Sequence, residues 1–300
     1  KDIFKISLAS LIRALPVGYG TVVIPLYLLR IGFDPFFIGI LITINTLMFG
    51  VSSIPGGIIA DKYSKKNTML LGFILTPLTF IILILTSNST ILLCTLVLGG
   101  CFMPGGIASA IIEPARISYI ADKAKPENLY KSYSLYQACW LLGTGGGALL
   151  ALVPQLLQTK FLYDIFLSYK ISFFIGIIIS LFSIFVISSI SKDLGQNKNI
   201  GSLKELYHSY KKLYSLKEKI DLRNLCILFL VWGSGFMVVP LIPVWFNLQF
   251  GVFESSIAIW FALFNIGSVP ILIISNKLKK RTIIPKIMIA IQVVSSAALV

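Results

Sequence analysis

The chain alternates between long apolar runs and short polar loops. About 20 apolar residues in an α-helix, at 1.5 Å rise per residue, cross the ~30 Å hydrocarbon core of a bilayer. The apolar runs occupy residues 6–30, 36–59, 68–86, 91–120, 131–154, 168–190, 224–247, 255–275 and 283–300. The pattern therefore predicts an all-α membrane protein with eight transmembrane helices and the beginning of a ninth.

Composition agrees with this fold class. Hydrophobic residues make up 56% of the chain and charged residues 13%, whereas soluble domains average about 25% charged. The first apolar run has no small-residue cleavage site of a signal peptide and continues into a full span. We expect the chain to be trimmed at its start and to continue beyond Val300. The four cysteines all lie inside apolar runs, so we interpret them as packing residues: Cys94, Cys101, Cys139 and Cys226.

The positive charges define a topology. The chain carries 26 Lys and Arg residues, and only Arg30, Lys160 and Lys170 fall in loops on the side opposite the N-terminus, while Arg13 lies inside the first span. An excess of bases marks cytoplasmic loops, so the N-terminus is predicted to be cytoplasmic. Because the bases follow this alternation, the net charge of +14 indicates no nucleic-acid partner.

The longest polar segment, residues 191–223, is strongly basic. Its spacing of Leu and Tyr suits an amphipathic helix on an anionic inner leaflet. His208 within it is interpreted as a solvated interfacial residue. The segment divides the chain into an N-terminal six-helix bundle (1–190), a cytoplasmic basic linker (191–223) and an incomplete C-terminal bundle (224–300).

The loop between the second and third spans carries a distinctive polar motif. Its sequence from Gly57 to Lys66 is GIIADKYSKK. It resembles the loop between helices two and three of the major facilitator superfamily, which reads Gly, three residues, Asp, a base, one residue, Gly and two bases. The matching residues are Gly57, Asp61, Lys62, Lys65 and Lys66, with Ser64 where the family prefers Gly.

This resemblance implies a major facilitator fold of two six-helix bundles, of which the chain contains the first eight helices and part of a ninth. It also implies transport of a small solute by alternating access, with the loop as a conformational switch. We expect Asp61 and Lys66 to latch the inner face. A glycine-rich stretch, Gly143–Gly147, partly resembles the fifth-helix motif of antiporters but lacks its Pro; close helix packing is the alternative explanation.

Polar and aromatic residues inside the spans are the candidates for a coupling site or solute cavity. They are Arg13, Tyr19, Asn45, Glu113, Tyr136, Gln137, Trp140, Trp232 and Asn265. For the aromatic residues, packing or lipid contact is the competing interpretation. A charge in hydrocarbon is costly unless it is paired or hydrated, so the two buried charges are the strongest candidates.

Arg13 and Glu113 each lie seven residues from the cytoplasmic end of their span. In the superfamily the first and fourth helices both line the central cavity, so we predict that these two side chains form an ion pair and that Glu113 is the coupling residue. The alternative is that Glu113 pairs with Arg116 on its own helix while Arg13 extends to the headgroups.

The sequence contains one His and no phosphate-binding loop, which argues against an ATP-driven pump or a metalloenzyme. We expect a monomeric, non-enzymatic secondary transporter of the plasma membrane that has no cofactor or metal. Its expected partners are protons, a small-molecule solute and membrane lipids.

Proton-coupled efflux by antiport is the preferred function. The alternatives are an uptake symporter for a sugar, organic acid or peptide, and a membrane protein without transport, which would need clustered His, Asp or Ser at an interface.

Overall fold

The computed structural model describes residues 2–102, 105–191 and 238–277, without the side chains of 271 and 273–277. Several predictions lie outside these residues. They concern the linker after Ser191 with His208, the first part of the seventh span with Cys226 and Trp232, and the ninth span.

The described residues form ten α-helices, with single 3-10 turns before α6 (Pro126–Asn128) and before α9 (Val239–Leu241). The helices are α1 (Asp2–Arg30), α2 (Pro35–Lys62), α3 (Lys65–Leu85), α4 (Ser89–Leu98), α5 (Gly106–Lys123), α6 (Leu129–Leu149), α7 (Leu152–Phe161), α8 (Ile165–Ser188), α9 (Ile242–Phe250) and α10 (Glu254–Lys277). Within the described ranges, five helical stretches are long and apolar enough to cross a membrane. The predicted all-α membrane architecture is confirmed.

Polar residues in the turns determine where several helices begin. Asp34, Asn88 and Asp164 each accept hydrogen bonds from backbone N–H groups in the first turn of α2, α4 and α8. Ser64 does the same for α3. These N-caps satisfy donors that have no partner within the helix. For this reason the predicted starts of the second, third, fourth and sixth spans differ from the helices by only a few residues.

Two predicted spans are broken in the structure. The run 91–120 was expected to be one helix, but α4 ends at Leu98 and α5 begins at Gly106. Gly105 has a φ of +99° and Gly106 a φ of +52°, a left-handed backbone that glycine tolerates and that ends the regular helix. The fifth span is likewise divided between α6 and α7 at residues 150–151.

Helix α1 is the centre of the bundle. It packs along α6 and α8 and also contacts α9 and α10. Its contact with α6 is very close, because a Cβ at Gly147 would lie 1.9 Å from the Leu15 carbonyl oxygen and one at Gly18 would lie 2.0 Å from the Thr144 carbonyl oxygen. Small residues let helix backbones approach in this way. The outer faces of α2, α3, α8 and α10 expose large apolar side chains, as expected for surfaces in contact with lipid.

Candidate functional site

The most polar part of the helix bundle lies where α1, α5 and α6 meet. Arg13 on α1 and Arg116 on α5 are both fully buried. The two guanidinium groups share Trp140 on α6, whose ring centroid is 5.8 Å from Cζ of Arg13 and 5.5 Å from Cζ of Arg116. We call Arg13, Glu113, Arg116, Tyr136 and Trp140 the arginine cluster.

Arg116 is well provided with partners. It forms an ion pair with Glu113, which precedes it by three residues on α5. Its Nη1 lies 3.3 Å from Ser10 Oγ, and its Cζ lies 4.0 Å from the centroid of the Tyr136 ring. An opposite charge and an aromatic face both stabilise a guanidinium removed from water. The Glu113 side chain remains 27% exposed, so its carboxylate is partly accessible whereas the Arg116 guanidinium is not.

Arg13 has a different environment. Its Nη2 donates to Ser109 Oγ at 2.7 Å, and its Cζ lies 5.4 Å from the centroid of the Phe73 ring. Within the described part of the chain, its Nε and Nη1 have no hydrogen-bond partner and no carboxylate forms an ion pair with it. Among the described residues, Arg13 is therefore a buried cation without an ion-pair partner.

The predicted ion pair between Arg13 and Glu113 is wrong in this structure. Glu113 pairs with Arg116, as the alternative proposed, because residues three apart lie on the same helical face. The second part of that alternative is also wrong, since Arg13 is buried and does not extend to the headgroups. Arg13 meets α5 at Ser109, four residues and so about 6 Å from Glu113 along the helix axis.

Asn45 lies at the break between α4 and α5. It is fully buried on α2, its Nδ2 donates to the Leu96 carbonyl oxygen at 2.8 Å, and its Oδ1 accepts from the Gly106 N–H at 3.1 Å. These two backbone groups flank the interruption, so neither has the partner that a continuous helix would provide. Asn45 thus stabilises the break next to Arg13.

Asn265 lies where α6 meets α10, a helix of the predicted C-terminal half. Its Oδ1 is 3.1 Å from the Thr144 hydroxyl, inside the glycine-rich stretch. At the neighbouring Gly145, a Cβ would lie 2.6 Å from Cγ1 of Ile266. The glycines of α6 therefore serve two contacts, since Gly143 and Gly147 face α1 while Gly145 faces α10.

The two predicted cavity residues not yet described are Tyr19 and Gln137, and neither belongs to the arginine cluster. Tyr19 is buried, its ring centroid is 6.2 Å from that of Phe80 and 6.1 Å from that of Phe173, and it borders a small cavity with Ser172 and Gly176. Gln137 is half-buried on α6, as is Trp140. The structure thus brings Arg13, Glu113, Tyr136 and Trp140 together and leaves Tyr19, Asn45 and Asn265 at separate contacts.

The motif loop joins α2 and α3 at the end of the bundle where α1 begins, which we call the basic end. Lys66 Nζ donates to the Ser188 and Ile190 carbonyl oxygens at 2.6 and 2.7 Å, so its charge lies at the C-terminus of α8, where the helix dipole favours a cation. Lys65 forms an ion pair with Asp122 at the end of α5. Asp61 and Lys62 are exposed, and Asp61 makes no ion pair with another described residue. The latch involving Asp61 stays a prediction.

One polar contact was missed from the sequence. At the end opposite the basic end, Tyr169 on α8 donates a buried hydrogen bond to Glu254, the first residue of α10. Glu254 lies at the edge of an apolar run, where a polar residue ordinarily marks the membrane surface. No local sequence pattern identifies this pairing, because α8 and α10 belong to different predicted halves.

Comparison with known proteins gives a consistent family. The model of the Major Facilitator Superfamily matches residues 6–300. The quinolone resistance protein NorA of Staphylococcus aureus (strain MRSA252) is 26% identical over 159 residues, which cover 52% of this chain and 39% of that protein. An uncharacterized MFS-type transporter of Methanocaldococcus jannaschii, MJ1560, is 24% identical over 241 residues, which cover 76% of this chain and 51% of that protein.

Solved structures show the same fold. A bacterial homologue of the human drug peptide transporters PepT1 and PepT2 superposes with a TM-score of 0.57 at 15% identity, covering 91% of this chain and 55% of the other. A proton dependent oligopeptide transporter superposes with a TM-score of 0.56 at 16% identity, covering 87% of this chain and 50% of the other. The chain spans about half the length of the proteins it matches, or less.

Proposed function

The chain belongs to the major facilitator superfamily, a family of membrane transporters, and we propose that it moves a small solute by alternating access in exchange for protons. In this proposal it acts without catalysis. The solute leaves the cell while protons enter, and Glu113 is the group that binds the proton.

The observation that carries the proposal is the ion pair of Glu113 with the buried Arg116. A carboxylate that is partly exposed can exchange a proton with water, and protonation removes the counter-charge of a buried guanidinium. Because an unpaired buried charge is costly, proton binding changes the relative stability of conformations that hydrate Arg116 to different degrees. This is the link that a proton-driven transporter requires.

Efflux is supported by two features. The relative NorA is by name a quinolone resistance protein, and the glycine-rich stretch of α6 resembles the antiporter motif. Gly145 places α6 directly against α10. In the proposed mechanism this contact between the predicted halves is the surface on which they rock, and Asp61 with Lys66 latches the basic end when it is closed.

Uptake together with a proton is the second candidate. One observation favours it: the arginine cluster contains two cations and one carboxylate, a charge balance that suits an organic acid or peptide carboxylate better than a cationic drug. The two candidates differ in whether solute and proton move in opposite directions or together.

The remaining features of the proposal follow from the charge pattern. The basic end faces the cytoplasm of a plasma membrane, residues 1–190 and 224–300 belong to separate bundles, and the linker 191–223 binds anionic lipid. The working unit is a monomer.

The test is transport by the full-length protein in proteoliposomes that contain a pH-sensitive dye and a fluorescent quinolone. A pH gradient should drive quinolone against its gradient, and quinolone movement should displace protons in the opposite direction. Glu113→Gln should lose this coupling but keep exchange of labelled for unlabelled quinolone, because a neutral residue cannot carry the proton. Glu127→Gln, which changes an exposed loop acid, is the matched control.

Protons that move in the same direction as the solute would favour the second candidate. If Glu113→Gln still coupled the two gradients, the assignment of Glu113 would be incorrect. Absence of any solute movement by the wild-type protein, across quinolones, sugars, organic acids and peptides, would contradict transport itself.

A further inference from the structure

Arg13 is the feature to which the preferred antiport mechanism assigns no role. It is completely buried and takes part in no ion pair within the described residues. Its Nε and Nη1 lack hydrogen-bond partners there, and so does Nε of Arg116. Native proteins rarely leave a buried hydrogen-bond donor without a partner, and they do so even more rarely when the donor belongs to a charged group.

The charges of the arginine cluster do not balance. Two guanidinium groups lie near the Trp140 ring, 5.8 and 5.5 Å from its centroid, and Glu113 is the one acid in the described structure that forms an ion pair with either of them. The other close neighbours of the two arginines are hydroxyls and aromatic faces, which solvate a cation but do not neutralise it. Among the described residues, the cluster therefore carries one net positive charge while Glu113 is ionised and two when it is neutral.

We propose that the transported solute supplies compensating negative charge, so that the solute is an anion whose carboxylate or phosphate binds between Arg13 and Arg116. Guanidinium groups present parallel N–H donors that match the oxygens of such anions. The inference rests on the proposed transport function and specifies its substrate class.

Glu113 then acts as a competitor for the anion. While its carboxylate is ionised it occupies Arg116, and when it is neutral Arg116 becomes available together with Arg13. Neutralisation of Glu113 and binding of an anion therefore reinforce each other, and the two are carried together. This sharpens the second candidate function, in which solute and proton move in the same direction.

The test measures binding to the purified full-length protein by titration calorimetry with probes that differ in charge. Benzoate and phenyl phosphate are the anions, benzamide is neutral and benzylamine is the cation. At least one anion should bind more tightly than the neutral and cationic probes. Arg13→Gln should weaken anion binding about tenfold, the effect of losing one charge-assisted contact, and Arg13→Lys should weaken it less.

Two further variants make the experiment specific. Glu113→Gln should tighten anion binding, since it frees Arg116 permanently. Arg30→Gln makes the same substitution as Arg13→Gln at the exposed end of the same helix and should leave binding unchanged. Monodisperse elution in detergent shows that each variant is folded.

The proposal is overturned if benzylamine binds as tightly as the anions, if none of the anions binds, or if Arg13→Gln folds and binds them unchanged. It is also overturned if Glu113→Gln weakens anion binding. Anion binding without transport in proteoliposomes would contradict the proposed function and leave the anion site standing. Coupled transport of a cation without anion binding would contradict the anion site and leave the proposed transport function standing.

Discussion

At the scale of single residues, the contribution of the Glu113–Arg116 ion pair to stability can be measured by neutralising one charge or both. Glu113→Gln leaves a fully buried guanidinium without its counter-charge and should destabilise the protein by about 3 kcal/mol. Tyr136, 4.0 Å from Cζ of Arg116, limits the loss. The measurement is thermal or denaturant unfolding of the full-length protein in detergent.

The double variant Glu113→Gln with Arg116→Gln is the informative control. Removing both charges should restore stability to within about 1 kcal/mol of wild type, because replacing a whole buried pair is often neutral whereas breaking it is not. A double variant whose loss equals the sum of the two single losses would show that the two residues act independently.

The sequence identified Glu113 as a candidate, but the preferred partner was wrong and the pair with Arg116 was only the alternative. Arg13 and Glu113 were found because a charge inside an apolar run is costly, and Trp140 because it is an aromatic residue inside a span. Depth along the helices was a poor guide to the partner, since the rotation of α1 about its axis directs Arg13 to Ser109. Helix rotation depends on packing that periodicity does not specify.

At the scale of elements, Asn45 is predicted to stabilise the break between α4 and α5. Asn45→Ala removes the partners of the Gly106 N–H and the Leu96 carbonyl oxygen, both in a buried setting. Each unsatisfied group costs about 1–3 kcal/mol, so we expect the two together to lower the unfolding free energy by about 2–6 kcal/mol.

Thr46→Ala is the matched control, because the Thr46 hydroxyl donates to Ile42 within its own helix and its loss orphans no backbone group across helices. We expect an effect below about 1 kcal/mol. Equal losses for the two variants would mean that the break is held by α4 and α5 alone.

Element boundaries were predictable where polar caps follow apolar runs and unpredictable where glycine interrupts a run. Asp34, Ser64 and Asp164 place the starts of three helices within three residues of the expected positions. The glycines at 99, 100, 105 and 106 are conspicuous in the sequence, but glycine also serves close packing, as at Gly147. Only the backbone geometry separates a break from a contact.

At the scale of the whole molecule, the predicted halves touch at two levels. Thr144 and Gly145 on α6 meet Asn265 and Ile266 on α10 in the interior. Nearer the end opposite the basic end, Tyr169 on α8 bonds Glu254 on α10. A transporter that opens at this end must break the second contact. The sequence could not reveal it, because both residues look like ordinary polar or aromatic positions near a membrane surface.

We therefore predict that Tyr169→Phe favours opening at that end. The variant keeps the ring packing against Tyr27 and Phe173 but removes the hydroxyl that binds the buried Glu254 carboxyl, which then gains by becoming hydrated. Losing a hydrogen bond to such a group should increase the open population about tenfold.

Distances between spin labels at Leu162→Cys and Phe253→Cys, two exposed positions on either side of the contact, report the opening in a background free of the native cysteines. Tyr163→Phe makes the same change on a half-exposed ring nearby and should leave the distances unaltered. If Tyr169→Phe does not lengthen them, the Tyr169–Glu254 contact does not hold this end closed, and closure would have to depend on the packing of α1 against α9 and α10.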